Sequence, residues 1–179
     1  MNLSRFHFAS IEEDFHQTSF DCNDEDINDF LNNESLNYQN QRLANTYMFS
    51  DNTRDVKAFF CLSNDCINDL GTNSDWNRLH RQVDLPNQKR IRQYPSVKLG
   101  RLGVGKEYQG TGLAYELMDF IKQFVYNNKH SACRFLLLDA YNKPKQIKYY
   151  LRNGFNFLLS NDMQDRTRIM YFDLKSFDK

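Results

Sequence analysis

Apolar residues in this chain alternate between helical spacing and short strand-like runs. Ile27, Phe30, Leu31 and Tyr38 share one helical face, and Asp24, Glu25 and Asp26 supply the negative charge that suits a helix N-terminus. Residues 46–49 and 56–62 read as strands joined by a polar turn over 51–55. Residues 68–96 are polar and irregular. The pattern predicts a short helix at about 76–81 there, then a loop through Pro86 and Pro95. A strand over 98–104 leads to Leu113, Leu117, Phe120, Ile121 and Phe124 at helical spacing, which predicts a helix over 112–128. Residues 134–140 form a buried strand. Pro144 opens a last helix that runs to about 153, and Gly154 suits the position just past its end. Residues 155–159 and 168–174 close the chain as strands. The order is βαβ in the middle with hairpins at both ends. That implies a mixed α/β, mostly antiparallel sheet flanked by helices, not a doubly wound one. With no repeat, low-complexity tract or linker, one domain over residues 1–179 is expected.

Composition narrows the class. The chain has 40% hydrophobic and 15% aromatic residues, too many for a disordered polypeptide. Its longest apolar run, residues 58–62, is far too short to span a bilayer, and the first eight residues lack the apolar stretch of a signal peptide. Cys22, Cys61, Cys66 and Cys133 show neither a C-x-x-C pair nor histidines at zinc spacing. The expectation is reduced thiols, no metal, no membrane and a cytoplasmic location. Net charge is zero, but residues 1–70 carry 13 acidic and 4 basic side chains against 10 and 19 in residues 71–179. The positive part suits a polyanion, and a solvated surface accounts for it equally well.

Five of the seven glycines lie in residues 98–118. Glycines before an amphipathic helix aim backbone amides at an anion. Gly100 to Lys106 has P-loop spacing, but Glu107 stands where a magnesium-binding hydroxyl is needed. Gly103-x-Gly105 and Gly110-x-Gly112 each start a dinucleotide pattern whose third glycine is a tyrosine, Tyr108 or Tyr115. Gln109-Gly110-Thr111-Gly112-Leu113-Ala114 has the form Q-x-x-G-x-A between a strand and a helix. It resembles the pyrophosphate loop of the GNAT acyltransferase superfamily. Leu136 to Ala140 followed by Tyr149-Tyr150-Leu151-Arg152-Asn153-Gly154-Phe155 resembles that family's later strand and helix end, in the family's order and separation.

Phe20 to Leu31 and Leu99 to Val104 further resemble the opening and the central strand of GNAT toxins from bacterial toxin–antitoxin modules, whose members acetylate aminoacyl-tRNA. Four positions depart from the patterns. Asn23 replaces a glycine, Asp24 an asparagine and Gly105 an aspartate, and Gln146 stands where the last helix often has alanine.

The resemblance implies the GNAT fold, acetyl-CoA as cofactor and transfer of its acetyl group to a primary amine. Backbone amides from Gln109, Gly110, Thr111, Gly112, Leu113 and Ala114 would hold the pyrophosphate. A strand amide among Leu102, Gly103 and Val104 would polarise the thioester carbonyl. Tyr150, aligned on Gly154-Phe155, would protonate the departing thiolate as general acid; the alternative is that Tyr149 and Tyr150 both pack on the sheet. Asn142 would bond the pantetheine or serve only the loop. Glu107, His80 and Asp139 are nominees for a general base, and none stands out. Arg78, Arg90 and Arg92, within a basic region that also includes Arg81, Lys89, Lys98 and Arg101, would hold tRNA phosphates, with Trp76 and Tyr94 stacking on bases or buried in the core. Expected partners are acetyl-CoA, an amine acceptor such as charged tRNA, an antitoxin protein and a second copy forming a homodimer. Acetylation of a protein or small amine, or a silent acyl-CoA-binding module, are the competing readings.

Overall fold

The computed structural model describes residues 2–12, 15, 19–68, 72–83, 85, 93–128 and 132–178. Lys89, Arg90, Arg92 and the loop at Pro86 lie outside the described residues.

Among the described residues, seven strands form one sheet in the order β1-β2-β3-β4-β5-β7-β6. They are β1 (His7–Ser10), β2 (Asn45–Ser50), β3 (Val56–Ile67), β4 (Tyr94–Val104), β5 (Phe135–Tyr141), β6 (Asn156–Phe157) and β7 (Thr167–Asp173). The helices are α1 (Glu25–Asp29), α2 (Ser35–Asn40), α3 (Asn73–Gln82), α4 (Leu113–Asn127) and α5 (Pro144–Arg152). β1/β2, β2/β3, β5/β7 and β6/β7 are antiparallel. Helix α4 connects β4 to β5, so the expected βαβ centre and terminal hairpins are present. β7 returns between β5 and β6, pairing Leu136 with Phe172 and Leu138 with Met170.

The chain divides into two compact units, residues 1–63 with 99–121 and residues 64–98 with 122–179. In the first, Asp24 caps α1 by accepting the Ile27 amide at 3.3 Å. A π-helical turn, Phe30–Glu34, joins α1 to α2, and Ser35 Oγ donates to the Leu31 carbonyl at 2.6 Å. That turn buries Phe30 and Leu31 against Phe20, Val56 and Phe59. The expected single helix is therefore three consecutive segments with one buried face. Strand β1 had no strand signal in the sequence, because it offers one large apolar residue. Its Phe8 ring packs on Tyr47, Phe49 and Phe120, and Glu116 Oε2 holds the Leu3 amide at 2.7 Å.

In the second unit, α3 buries Trp76 and Leu79 against Ile67, Tyr94, Phe135, Leu137 and Tyr171. Trp76 is 8% and Tyr94 6% exposed, so both are core residues and neither is available to stack on bases. β4 starts at Tyr94 rather than residue 98 and takes in Pro95. Proline lacks only the donor, and the Pro95 carbonyl still accepts the Arg134 amide at 2.9 Å. β6 is two residues rather than five; beyond it the Leu158 amide still reaches the Ile169 carbonyl at 2.9 Å.

Candidate active site

In the first unit β4 ends in a glycine-rich bend. The Gly105 amide donates to the Lys57 carbonyl at 2.9 Å, and its carbonyl receives the Tyr108 amide, forming a single 3-10 turn over Lys106–Tyr108. A side chain at Gly105 would start 3.0 Å from the Glu107 carboxylate, the flexible end of an exposed side chain that can move aside. Gly103 is closed more tightly. A Cβ there would lie 2.6 Å from the Phe59 ring and 3.0 Å from Phe20. Leu102 is half-buried and Val104 buried on the same strand.

Gly110 and Gly112 have φ of +79° and +93°, the left-handed region that glycine enters at little cost. A Cβ on either would meet nothing within 4 Å. The two glycines therefore serve the backbone path and leave open space above it. Between them, Thr111 Oγ1 donates to the Tyr108 carbonyl at 2.7 Å. The Gly112 carbonyl accepts the amides of Tyr115 and Glu116, so α4 begins here, with Leu113 buried and Ala114 half-buried in its first turn. An exposed bend of left-handed glycines leading into a helix N-terminus offers backbone amides suited to a phosphate group. It is not a P-loop. The helix starts seven residues after Lys106, whose ammonium is paired with Asp21 at 2.9 Å.

The toxin-like opening holds this bend. Asp21 Oδ2 takes Lys106 Nζ, while Oδ1 takes the Asn23 amide at 2.8 Å and Asn28 Nδ2 at 3.1 Å. Asn28 Oδ1 in turn accepts the Cys22 amide at 3.0 Å. The Lys106 amide donates to the Asp21 carbonyl at 2.8 Å, and Gln109 Nε2 reaches the Cys22 carbonyl at 2.8 Å. Two departures from the family pattern keep their physical role. Asn23 has φ of +61°, and asparagine is among the few side chains that tolerate that region. Asp24 caps α1 as asparagine would. Nothing in the structure explains Gln146.

The Lys106 ammonium, aided by the Asn23 and Asn28 donors, pulls the Asp21 carboxyl from 3.8 to about 2. A lowered carboxyl stabilises the fold above its unfolded value and loses that contribution as pH falls through the folded one. The lock is therefore fully formed above pH 3.8 and opens towards pH 2. Asp21→Ala is expected to speed hydrogen exchange at the Cys22 and Lys106 amides at neutral pH by about tenfold or more. Unchanged exchange would show that the lock does not hold the bend.

The second unit carries Tyr150, Asn142 and Arg78. Helix α5 ends at Gly154, whose φ of +81° reverses the chain so that the Phe155 amide reaches the Tyr150 carbonyl at 3.1 Å. Buried Phe155 then meets the Tyr150 ring edge-on, with centroids 5.8 Å apart. Among the described residues the Tyr150 hydroxyl has no hydrogen-bond partner. Loss of water around it pushes the phenol up to about 12. Tyr149 is half-buried, as Tyr150 is, and no residue of α5 is fully buried. Asn142 Nδ2 donates to the carbonyls of Met163 and Asp165 at 2.9 and 3.0 Å, which leaves its carbonyl oxygen for a ligand.

Arg78 is committed within the fold. Its guanidinium meets buried Asp75 at 2.8 Å and donates to the Leu158 carbonyl at 2.7 Å. Thr72 and Ser160 hydroxyls complete the carboxylate's shell at 2.8 and 3.2 Å. Other members of the basic region are also engaged. Lys98 meets Asp139 at 2.7 Å, and Arg101 lies 5.4 Å from the Phe30 ring centroid with Asp26 at 3.6 Å. His80 Nε2 lies 3.5 Å from the Tyr94 hydroxyl, and Glu107 is exposed beside Gly105. Spacing did not reveal the Asp21–Lys106 lock or the Lys98–Asp139 pair, because each joins residues distant in sequence.

The fold is the one that GNAT acetyltransferases share. Residues 89–174 match the family model described as an acetyltransferase (GNAT) domain. Solved structures of similar fold include AtaT and KacT. AtaT complexed with acetyl-methionyl-tRNAfMet is 22% identical at a TM-score of 0.78, covering 97% of each chain. A tyrosine-to-phenylalanine variant of KacT is 21% identical at 0.75, covering 97% of this chain and 98% of that one. A tyrosine-to-phenylalanine variant of the AtaT toxin, bound to the C-terminus of the antitoxin AtaR and acetyl-CoA, is 20% identical at 0.73, covering 97% and 96%. These likenesses establish the fold. Among the described residues no helix is long and apolar enough to cross a membrane.

Proposed function

We propose that this chain is an acetyl-CoA-dependent N-acetyltransferase that acts on the amino group of aminoacyl-tRNA, as a toxin countered by an antitoxin protein. The observation that carries the cofactor assignment is the open bend at Gly110 and Gly112 leading into α4. The residues fit a pyrophosphate, since both glycines leave free space where the phosphates would approach, and helix-terminal amides favour negative charge. The acceptor assignment is supported by the likeness to AtaT complexed with acetyl-methionyl-tRNAfMet and by the toxin-like opening that locks the bend.

Bound acetyl-CoA would supply the acetyl group as an activated thioester. Amides along Gln109 to Ala114 would hold the diphosphate, and the side-chain carbonyl of Asn142 would accept from a pantetheine amide. A β4 amide among Leu102, Gly103 and Val104 stabilises negative charge on the carbonyl oxygen. On transfer, the amine would bond to the carbonyl carbon and give a proton to solvent as the carbon–sulfur bond breaks, and Tyr150 would give its phenolic proton to the leaving sulfur and regain one from solvent. A phenol raised to about 12 holds that proton throughout the neutral range. Arg90 and Arg92, with exposed Arg81, take the tRNA phosphates in this reading. The assembly includes a homodimer, and the location is cytoplasmic.

The test is thiol release from acetyl-CoA with an acceptor panel of charged tRNA, deacylated tRNA, peptide N-termini and small amines. Charged tRNA is expected to give the fastest release, with a rate that falls steeply as salt is added because phosphate contacts release counterions. Faster release with peptides or small amines would assign the acceptor elsewhere. No release with any acceptor, together with no heat on titrating acetyl-CoA, would make the chain a silent module.

A further inference from the structure

Strand β5 changes character at Asp139. Phe135 and Leu137 are buried in the cluster with Trp76 and Leu79. Alternation along the strand puts residue 139 on the same face, yet an exposed aspartate stands there in place of a third apolar side chain. Strand β4 does the same. Tyr94 and Ser96 are buried, and Lys98 follows two positions on. Lys98 Nζ meets Asp139 Oδ2 at 2.7 Å, with the side chains 34% and 39% exposed. β4 and β5 are neighbours in the middle of the sheet, where a core would take apolar residues. A pair this exposed adds little to stability, so stability does not account for its position.

Beside the pair lies a cavity of about 200 Å³. Leu137, Leu158, Leu159 and Ile169 give it apolar walls, and Asp65, Lys98 and Asp139 line it as well. The charged lining is two carboxylates against one ammonium, so it favours a cationic or amine-bearing group over an anion. The volume is below the roughly 300–1,000 Å³ of sites that take a whole small molecule. It suits one side chain and its α-amine, not a nucleotide.

We propose that this cavity is the acceptor subsite, in which Asp139 and Asp65 receive the α-amine and the apolar walls take an aliphatic or thioether side chain. The proposal rests on the acyltransferase reading and specifies its substrate class. The acceptor is an apolar α-amino acid whose carboxyl is tied in an ester or amide, because a free carboxylate would face the acidic lining. Lys98 positions Asp139 and takes no part in bond making.

The experiment measures acetyl transfer to leucinamide, methioninamide, glutaminamide, aspartic acid α-amide, glycinamide and free leucine, alongside leucyl- and glutaminyl-tRNA. The wild type is expected to favour leucinamide and methioninamide over the two polar amides, and over free leucine, by about tenfold or more in kcat/KM. Leu159→Phe fills the cavity and is expected to remove that preference while glycinamide turnover is retained. Leu159→Ala is the second variant, should the first not fold, and is expected to shift preference towards methioninamide. Asp139→Asn is expected to raise KM for every amide without altering acetyl-CoA affinity. If side-chain preference is the same in wild type and both Leu159 variants, the inference is overturned even where charged tRNA is acetylated. If the amides follow the expected order but neither tRNA is acetylated, the cavity assignment stands and the tRNA reading falls.

Discussion

Gly112→Asp is expected to abolish measurable acetyl-CoA binding while leaving the fold intact. Two effects act together. Gly112 has φ of +93°, which a side chain adopts only under strain, at a cost of roughly 1–2 kcal/mol. The new carboxylate also stands where the diphosphate approaches. Two unit charges about 4 Å apart near a protein surface repel by about 4 kcal/mol, or nearly a thousandfold in affinity. A Cβ at residue 112 meets nothing within 4 Å, so the loss cannot come from a clash with the protein itself. Gly112→Ala separates the two effects, because it keeps the strain and omits the charge. Its affinity is expected to fall by about tenfold only. Calorimetric titration with acetyl-CoA, alongside thermal melting to confirm folding, makes the measurement. A folded Gly112→Asp protein with wild-type affinity would place the cofactor elsewhere.

Tyr150→Phe is expected to lower kcat by about 10²–10⁴, the usual contribution of a positioned acid, with acetyl-CoA affinity unchanged. The substitution is clean on structural grounds. Phenylalanine keeps the ring contacts with Phe155 and Tyr149, and the lost hydroxyl has no hydrogen-bond partner among the described residues. The wild type should show no loss of the acid form below pH 11, since the proton leaves only as pH rises through about 12. A Tyr150→Phe enzyme with wild-type kcat would move the role to another donor. Tyr149→Phe, half-buried one position earlier, is the matched control and is expected to lose far less.

The centre of the chain was legible from spacing because its signals are local. The helical register of Leu113, Leu117 and Ile121 marked α4, and each of those side chains is fully buried. Pro144 and Gly154 bracketed α5 because one needs no amide donor and the other takes a positive φ. Gly110 and Gly112 announced the bend for the same conformational reason. What was hidden is long-range. Strand β1 forms because β2 offers an edge, not because its own four residues alternate. The Asp21–Lys106 lock spans 85 positions, and the commitment of Arg78 depends on where the Leu158 carbonyl falls. Trp76 and Tyr94 had the composition of a stacking surface, but Leu79 and Phe135 place them in the core. Charge counting likewise could not see that Lys98 and Arg101 already have acidic neighbours.

In the proposed reaction an acetyl group passes from its thioester to the amino group of an aminoacyl-tRNA. The direct measurement incubates the protein with carbon-labelled acetyl-CoA and bulk tRNA, charged in one sample and deacylated in the other. Nuclease digestion and mass analysis of the terminal adenosine follow. Labelled N-acetyl-aminoacyl-adenosine is expected from the charged sample and no label from the deacylated one, because only the charged tRNA carries the amine. Label of equal intensity in both samples, or on protein amines alone, would contradict it.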